Sequence, residues 1–144
     1  MNMINQVKPV IVVLDDDQQR VLWLKGRVGD RASVLWSTTV KGLHKNLKAA
    51  ENTGNLVLVF LDHDLDMWSA KGDSKDRNGK DGTDAAGELS LQDKSIPIII
   101  WSLNGRAATS MEDTLAQRGF NVKRMMFLFK QVNAHTIDRI LNSE

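Results

Sequence analysis

Leu56-Val57-Leu58-Val59-Phe60-Leu61-Asp62-His63-Asp64 is an unbroken apolar run that stops on two carboxylates flanking an imidazole. Such a run, with no polar alternation, predicts a strand buried on both faces, as in a parallel sheet covered by helices. The same design stands near the N-terminus, where Pro9 to Leu14 leads directly into Asp15-Asp16-Asp17. Three more short apolar runs, Ser33–Trp36, Ile96–Trp101 and Val122–Phe129, read as strands. Pro97 lies near the start of its run, where a missing N–H is tolerated.

Helical patterns fill the intervals. Val21, Leu22, Leu24 and Val28 recur at helical spacing before Gly29, and Lys41–Ala50 carries Leu43 and Leu47 on one face. A third helix, capped by Thr83 or Asp84, extends to about Gln92. Arg106–Gln117 stops at Gly119, and Asn133 caps a last helix bearing Ile137, Ile140 and Leu141. The alternation shows no repeat, composition break or linker. It predicts one α/β domain over 1–144, with a five-stranded parallel sheet doubly wound by helices. Right-handed crossovers leave a flavodoxin-like or a Rossmann-like strand order. The flavodoxin-like order 2-1-3-4-5 makes the first and third strands neighbours at the switch point, where ligands bind beyond the carboxyl ends.

The chain's 144 residues suit one hydrophobic core. A net charge of +1 gives no overall field for nucleic acid, so stable DNA binding is not expected and any phosphate site must be local. With no cysteine, disulfide and thiol chemistry are excluded. No apolar run is long enough to span a bilayer, and MNMINQVKPV lacks the features of a signal peptide. The expected location is cytoplasmic.

Asp15, Asp16, Asp62 and Asp64 are thereby brought to one sheet edge. Gathered carboxylates repel one another unless a cation or donors compensate. Mg²⁺ or Mn²⁺ suits them, being a hard ion that takes one or two carboxylates and leaves positions for phosphate oxygens. Asp15, Asp16 and Asp62 are the expected metal ligands. Asp17, in a first helical turn, reads better as a cap. Ser102 ends the fourth strand and Lys130 follows the fifth, and both are natural donors to phosphoryl oxygens.

This set resembles the receiver domain of two-component response regulators. The resemblance makes Asp15 and Asp16 the acidic pair, Asp62 the acceptor, Ser102 the hydroxyl and Lys130 the lysine. Lys130 lacks the proline that usually follows it there. Three strings are similar to those of the cyclic-phosphate processing receiver domain: Leu14-Asp15-Asp16-Asp17-Gln18-Gln19-Arg20, Leu61-Asp62-His63-Asp64-Leu65, and Trp101-Ser102-Leu103-Asn104 with Ala107, Ala108 and Met111 beyond it. That likeness implies action on a cyclic phosphate of a nucleotide or RNA end, as in RNA repair. One departure matters: the family's histidine before the serine is Trp101 here.

His63, between carboxylates in sequence, suits a general acid or base, or a structural role orienting the loop. Arg20 either contacts phosphate from the first helix or pairs with Asp17. Asn104 and Arg106 precede a helix whose N-terminus favours anions. Trp23, Trp36 and Trp68 read as packing residues, whereas Trp101 is placed to stack on a base. The polar stretch from Asp66 to Asp81, including Lys71, Asp73, Lys75, Asp76, Arg77 and Lys80, reads as a charged surface loop or a lid.

Three functions follow. The first is a metal-dependent phosphoesterase in which Mg²⁺ on Asp16 and Asp62 polarises the phosphoryl oxygens and activates water, His63 or Asp64 moves the proton, and Ser102, Asn104 and Lys130 stabilise charge. The second is a phosphoacceptor signalling module with Asp62 phosphorylated. The third is a binding protein without turnover.

Overall fold

The computed structural model describes residues 8–66, 74–125 and 130–142, with 130–133 by backbone alone. Five strands, β1 (Val10–Leu14), β2 (Ser33–Ser37), β3 (Leu56–Leu61), β4 (Ile98–Ile100) and β5 (Val122–Arg124), form one sheet in the order β2-β1-β3-β4-β5. All four pairings are parallel. Between them run α1 (Gln18–Val28), α2 (Val40–Thr53), α3 (Gly82–Glu88), α4 (Gly105–Gln117) and α5 (Lys130–Asn142). This is the doubly wound, flavodoxin-like arrangement expected.

Strand parity divides the core. Val12, Leu14, Val59, Leu61, Ile98 and Ile100 pack with α2, α3 and α4 residues such as Leu43, Ala85 and Met111. Their alternates Ile11, Val13, Leu58, Phe60, Ile99 and Trp101 pack with Val21, Leu24 and Ile137 of α1 and α5. Continuing the count one step past each strand puts Asp15, Asp62 and Trp101 on the α1 side.

Each strand end is held by its neighbour. Asp15 N donates to Ser37 O (3.1 Å), Asp62 N to Leu14 O (2.9 Å) and Trp101 N to Leu61 O (3.2 Å). The site residues therefore begin where the ladder is still pinned, on rigid backbone.

Several bounds differ from expectation. α3 starts two or three residues earlier, because Asp81 rather than Thr83 or Asp84 is its cap, and it ends at Glu88. Asp81 Oδ1 accepts from Thr83 N and Asp84 N, while Asp84 Oδ2 accepts from Asp81 N, closing a reciprocal box. β4 is shorter than its apolar run. Asn133 lies inside α5, which begins at Lys130, so it is not the cap. Lys71, Asp73, Trp68 and the 126–129 part of the expected fifth strand lie outside the described residues.

Candidate functional site

Asp15, Asp16 and Asp62 converge at the junction of β1 and β3, each offering a carboxylate oxygen within 4.8 Å of the others. Asp15 and Asp62 are buried, and Asp16 is half-buried. Asp15 Oδ1 accepts from Asp17 N (2.8 Å), and the Asp15 carbonyl accepts from Trp36 Nε1 (2.7 Å), which fastens the acidic turn to β2. Asp17 is the α1 cap, accepting from Gln19 N (2.9 Å) and Arg20 N (3.4 Å).

Arg20 enters this cluster from the first turn of α1. Its Nη2 lies 2.8 Å from Asp15 Oδ1 and 3.0 Å from Asp62 Oδ2, and its Nη1 donates to the Trp101 carbonyl (3.2 Å). Its contact with Asp17, Nε to Oδ2, is longer at 3.7 Å. Phosphate or Asp17 is the partner expected from sequence; in the structure its short ion pairs go to Asp15 and Asp62.

Burial dominates the electrostatics. It pushes the Asp62 carboxyl up to about 8, with the nearby Asp15 charge adding to it and Arg20 opposing. It likewise pushes Asp15 up to about 6 against the pull of Arg20. Burial works against the Arg20 charge too, yet Asp15 and Asp62 raise its pKa above the ordinary value. The short ion pairs thus soften the penalty of burying two carboxylates together without cancelling it.

The donor set fits a hard divalent cation. Three carboxylates meet at a ligand crevice, and Asp15 Oδ2 is buried with no hydrogen-bond partner among the described residues. An orphaned, fully buried carboxylate oxygen in such a cluster asks for a cation.

His63 pairs with Asp64 and Asp81. Its Nδ1 is 2.8 Å from Asp64 Oδ1, and its Nε2 is 3.4 Å from Asp81 Oδ2. The imidazole therefore ties the end of β3 to the α3 cap, and its two carboxylates are Asp64 and Asp81 rather than Asp62 and Asp64. Gly82 packs directly beneath: its N donates to His63 O (3.0 Å), and a Cβ there would stand 2.4 Å from Asp62 O and 2.5 Å from His63 Cα. Only glycine permits that approach.

Ser102 follows β4, buried, with its Oγ accepting from Asn104 N (3.1 Å). Asn104 caps α4 by accepting from Ala107 N (3.2 Å), and Arg106 is exposed on the first turn. Lys130 opens α5; its side chain lies outside the described residues. Trp101 requires a correction. It has 0% exposure, packs on Phe60 with ring centroids 4.3 Å apart, and lies beneath the Arg20 guanidinium at 5.8 Å. Its parity with Ile99 sends the indole into the α1–α5 core, so it has no face to offer a base.

Asp76 escaped the sequence reading. Though surrounded by charges in sequence, it is buried and accepts from Val40 N (2.8 Å) at the start of α2 and from Asn78 N (2.8 Å) and Lys80 N (3.1 Å) in its own turn. It borders a 360 Å³ cleft lined by Asp16, Thr38, Thr39, Leu65, Asp66 and Arg77. The described part of the loop is thus anchored to α2, and the cleft opens from the acidic cluster.

No family model matches the chain, and no curated protein matches it. Solved structures do. The chain is similar to the non-phosphorylated HemR receiver domain from Leptospira biflexa, at 20% identity and TM-score 0.63, covering 93% of this chain and 94% of that one. It is similar to the phosphorylated cyanobacterial phytochrome response regulator RcpA at 16% identity and TM-score 0.60, covering 95% and 91%. It is also similar to the Mn(2+)-bound form of response regulator Rcp1, at 15% identity and TM-score 0.56, covering 82% and 80%. The fold is therefore receiver-like, and it carries an acidic cluster compatible with metal at the ends of β1 and β3. Among the described residues no helix is long and apolar enough to cross a membrane.

Proposed function

We propose that this chain is a phosphoacceptor receiver module in which Asp15, Asp16 and Asp62 hold Mg²⁺ or Mn²⁺ and Asp62 accepts a phosphoryl group. The observation that carries it is the convergence of these carboxylates at the β1–β3 junction, with Asp15 Oδ2 orphaned among them. The phosphorylated and Mn(2+)-bound forms of the receiver neighbours support the same chemistry.

When bound, the ion would hold the carboxylates ionised and neutralise charge on phosphoryl oxygens. The chain's own residues do the rest. An Asp62 carboxylate oxygen attacks the phosphorus of an acyl phosphate or phosphohistidine donor, and the bond from phosphorus to the donor breaks, its electron pair leaving with the donor's carboxylate or imidazole. Ser102 stands at the end of β4 to donate to a phosphoryl oxygen, and Lys130 is the cation expected to join it. The partners on this reading are a phosphodonor protein and whatever domain reads the modified state.

A second reading, opening of a cyclic phosphate at a nucleotide or RNA end, has one observation in its favour. His63 is held by Asp64 and Asp81 immediately beyond the Asp62 backbone, an oriented imidazole beside the acidic cluster. One experiment separates the two. The protein is incubated with Mg²⁺ and acetyl phosphate, and in parallel with RNA ending in a 2′,3′-cyclic phosphate, as wild type and Asp62→Asn. A phosphoryl adduct on Asp62 supports the receiver reading. Ring opening without an adduct overturns it in favour of the second, and neither product overturns both.

A further inference from the structure

We propose that Arg20 is a resident cation in the divalent site: it bridges Asp15 and Asp62 in the metal-free protein and yields that position when the ion binds. The inference rests on the cation reading above and adds to it the residue that sets the ion's affinity and charge selectivity.

The geometry is specific. Arg20 is 4% exposed, and a single nitrogen, Nη2, lies within 3.0 Å of oxygens from both Asp15 and Asp62. A metal ion joining those two carboxylates would lie against that nitrogen. Two cations in contact within a buried site repel strongly, so guanidinium and ion compete for the same oxygens.

The network around Arg20 is incomplete in a way a purely structural ion pair would not be. Arg20 Nε and Asp15 Oδ2 are both buried without a hydrogen-bond partner among the described residues. A half-satisfied buried network stands ready for another ligand. The arginine also has somewhere to go. Asp17, on the α1 cap, lies 3.7 Å from Nε and is 21% exposed, so rotation about the side chain exchanges a fully buried partner for a partly exposed one. Strand parity explains why the competitor comes from α1, since Asp15, Asp62 and Trp101 all face that helix.

The consequence is selectivity. A monovalent ion carries no more charge than the guanidinium and lacks its directed hydrogen bonds, so it does not displace Arg20. A divalent ion does. The metal-free site is then a preformed, charge-compensated pocket in place of carboxylates left to repel one another.

The test is calorimetric titration of Mg²⁺ and Mn²⁺ into wild type, Arg20→Gln, Arg20→Lys and Asp16→Asn, with thermal unfolding of each with and without ion. The expected result is that Arg20→Gln binds the ion about tenfold more tightly than wild type, equivalent to about 1.4 kcal/mol. Arg20→Lys, which keeps the charge, stays near wild type. Arg20→Gln is also less stable than wild type without metal and gains more from it. Equal or weaker binding by Arg20→Gln overturns the role of Arg20 while leaving the cation site standing. No binding by wild type and Arg20→Gln alike overturns the cation reading itself. If Arg20→Gln does not fold without metal, its refolding from urea on adding Mg²⁺ supports the proposal, and failure to refold at saturating Mg²⁺ overturns it.

Discussion

Raising the pH from 6 to 8 without divalent ions should destabilise this fold, and the acidic cluster supplies both sign and size. Burial pushes the Asp62 carboxyl up to about 8 and that of Asp15 up to about 6, both above the ordinary aspartate value. A carboxyl whose folded pKa is raised holds its proton more tightly in the folded state. Its contribution is therefore fully present below the unfolded value and is lost as pH climbs through the folded one. Between pH 6 and 8 the folded chain carries nearly one proton on Asp62 that the unfolded chain has released. Linkage then removes stability at up to roughly 1.4 kcal/mol per pH unit, or about 2 kcal/mol across the window once the slope fades near pH 8. Saturating Mg²⁺ should offset the loss, because the ion binds the ionised form. Urea unfolding at pH 6, 7 and 8, with Mg²⁺ or with chelator, measures this directly. Asp62→Asn tests it, since an amide cannot ionise and the difference from wild type cancels the titrating groups that lie away from the cluster. A metal-free wild type whose stability is flat or rises from pH 6 to 8, relative to Asp62→Asn, would refute the reasoning.

Other perturbations follow from single contacts. Gly82→Ala places a Cβ 2.4 Å from Asp62 O, so backbone must shift; urea unfolding should show a loss of about 1–3 kcal/mol, with weakened metal binding by calorimetry. Asp76→Ala removes the acceptor of three backbone N–H groups and should cost about 3 kcal/mol by the same assay, with faster amide exchange at Val40. Trp101→Ala empties a fully buried site against Phe60 and should cost about 3–5 kcal/mol; a loss under 1 kcal/mol would contradict its place in the core.

The fold was legible because burial leaves a local trace. Leu56–Leu61 reads as a two-faced strand from its own residues, and the structure gives it the same bounds. The ends of elements were less so. Asp81 and Asp84 carry the three-residue spacing of a reciprocal cap, a signal present in the sequence, but Thr83 and Asp84 are themselves good caps and place the helix start later. Contacts made across the chain left no trace at all. Asp76 looks like one more loop carboxylate because its partner Val40 lies 36 positions away. Arg20 was readable as a pocket residue, yet its joint hold on Asp15 and Asp62 depends on three elements sharing the α1 side. Trp101 was misplaced for the same reason: its position beside Ser102 suggested the crevice, whereas one further step of strand parity turns it into the core.

On this reading Asp15, Asp16 and Asp62 form one divalent-cation site. Electron paramagnetic resonance titration with Mn²⁺ counts bound ions without reference to activity. One ion per chain is expected in wild type, displaced by Mg²⁺ and lost in both Asp16→Asn and Asp62→Asn. Mn²⁺ binding that survives both substitutions, or none in wild type, would contradict it.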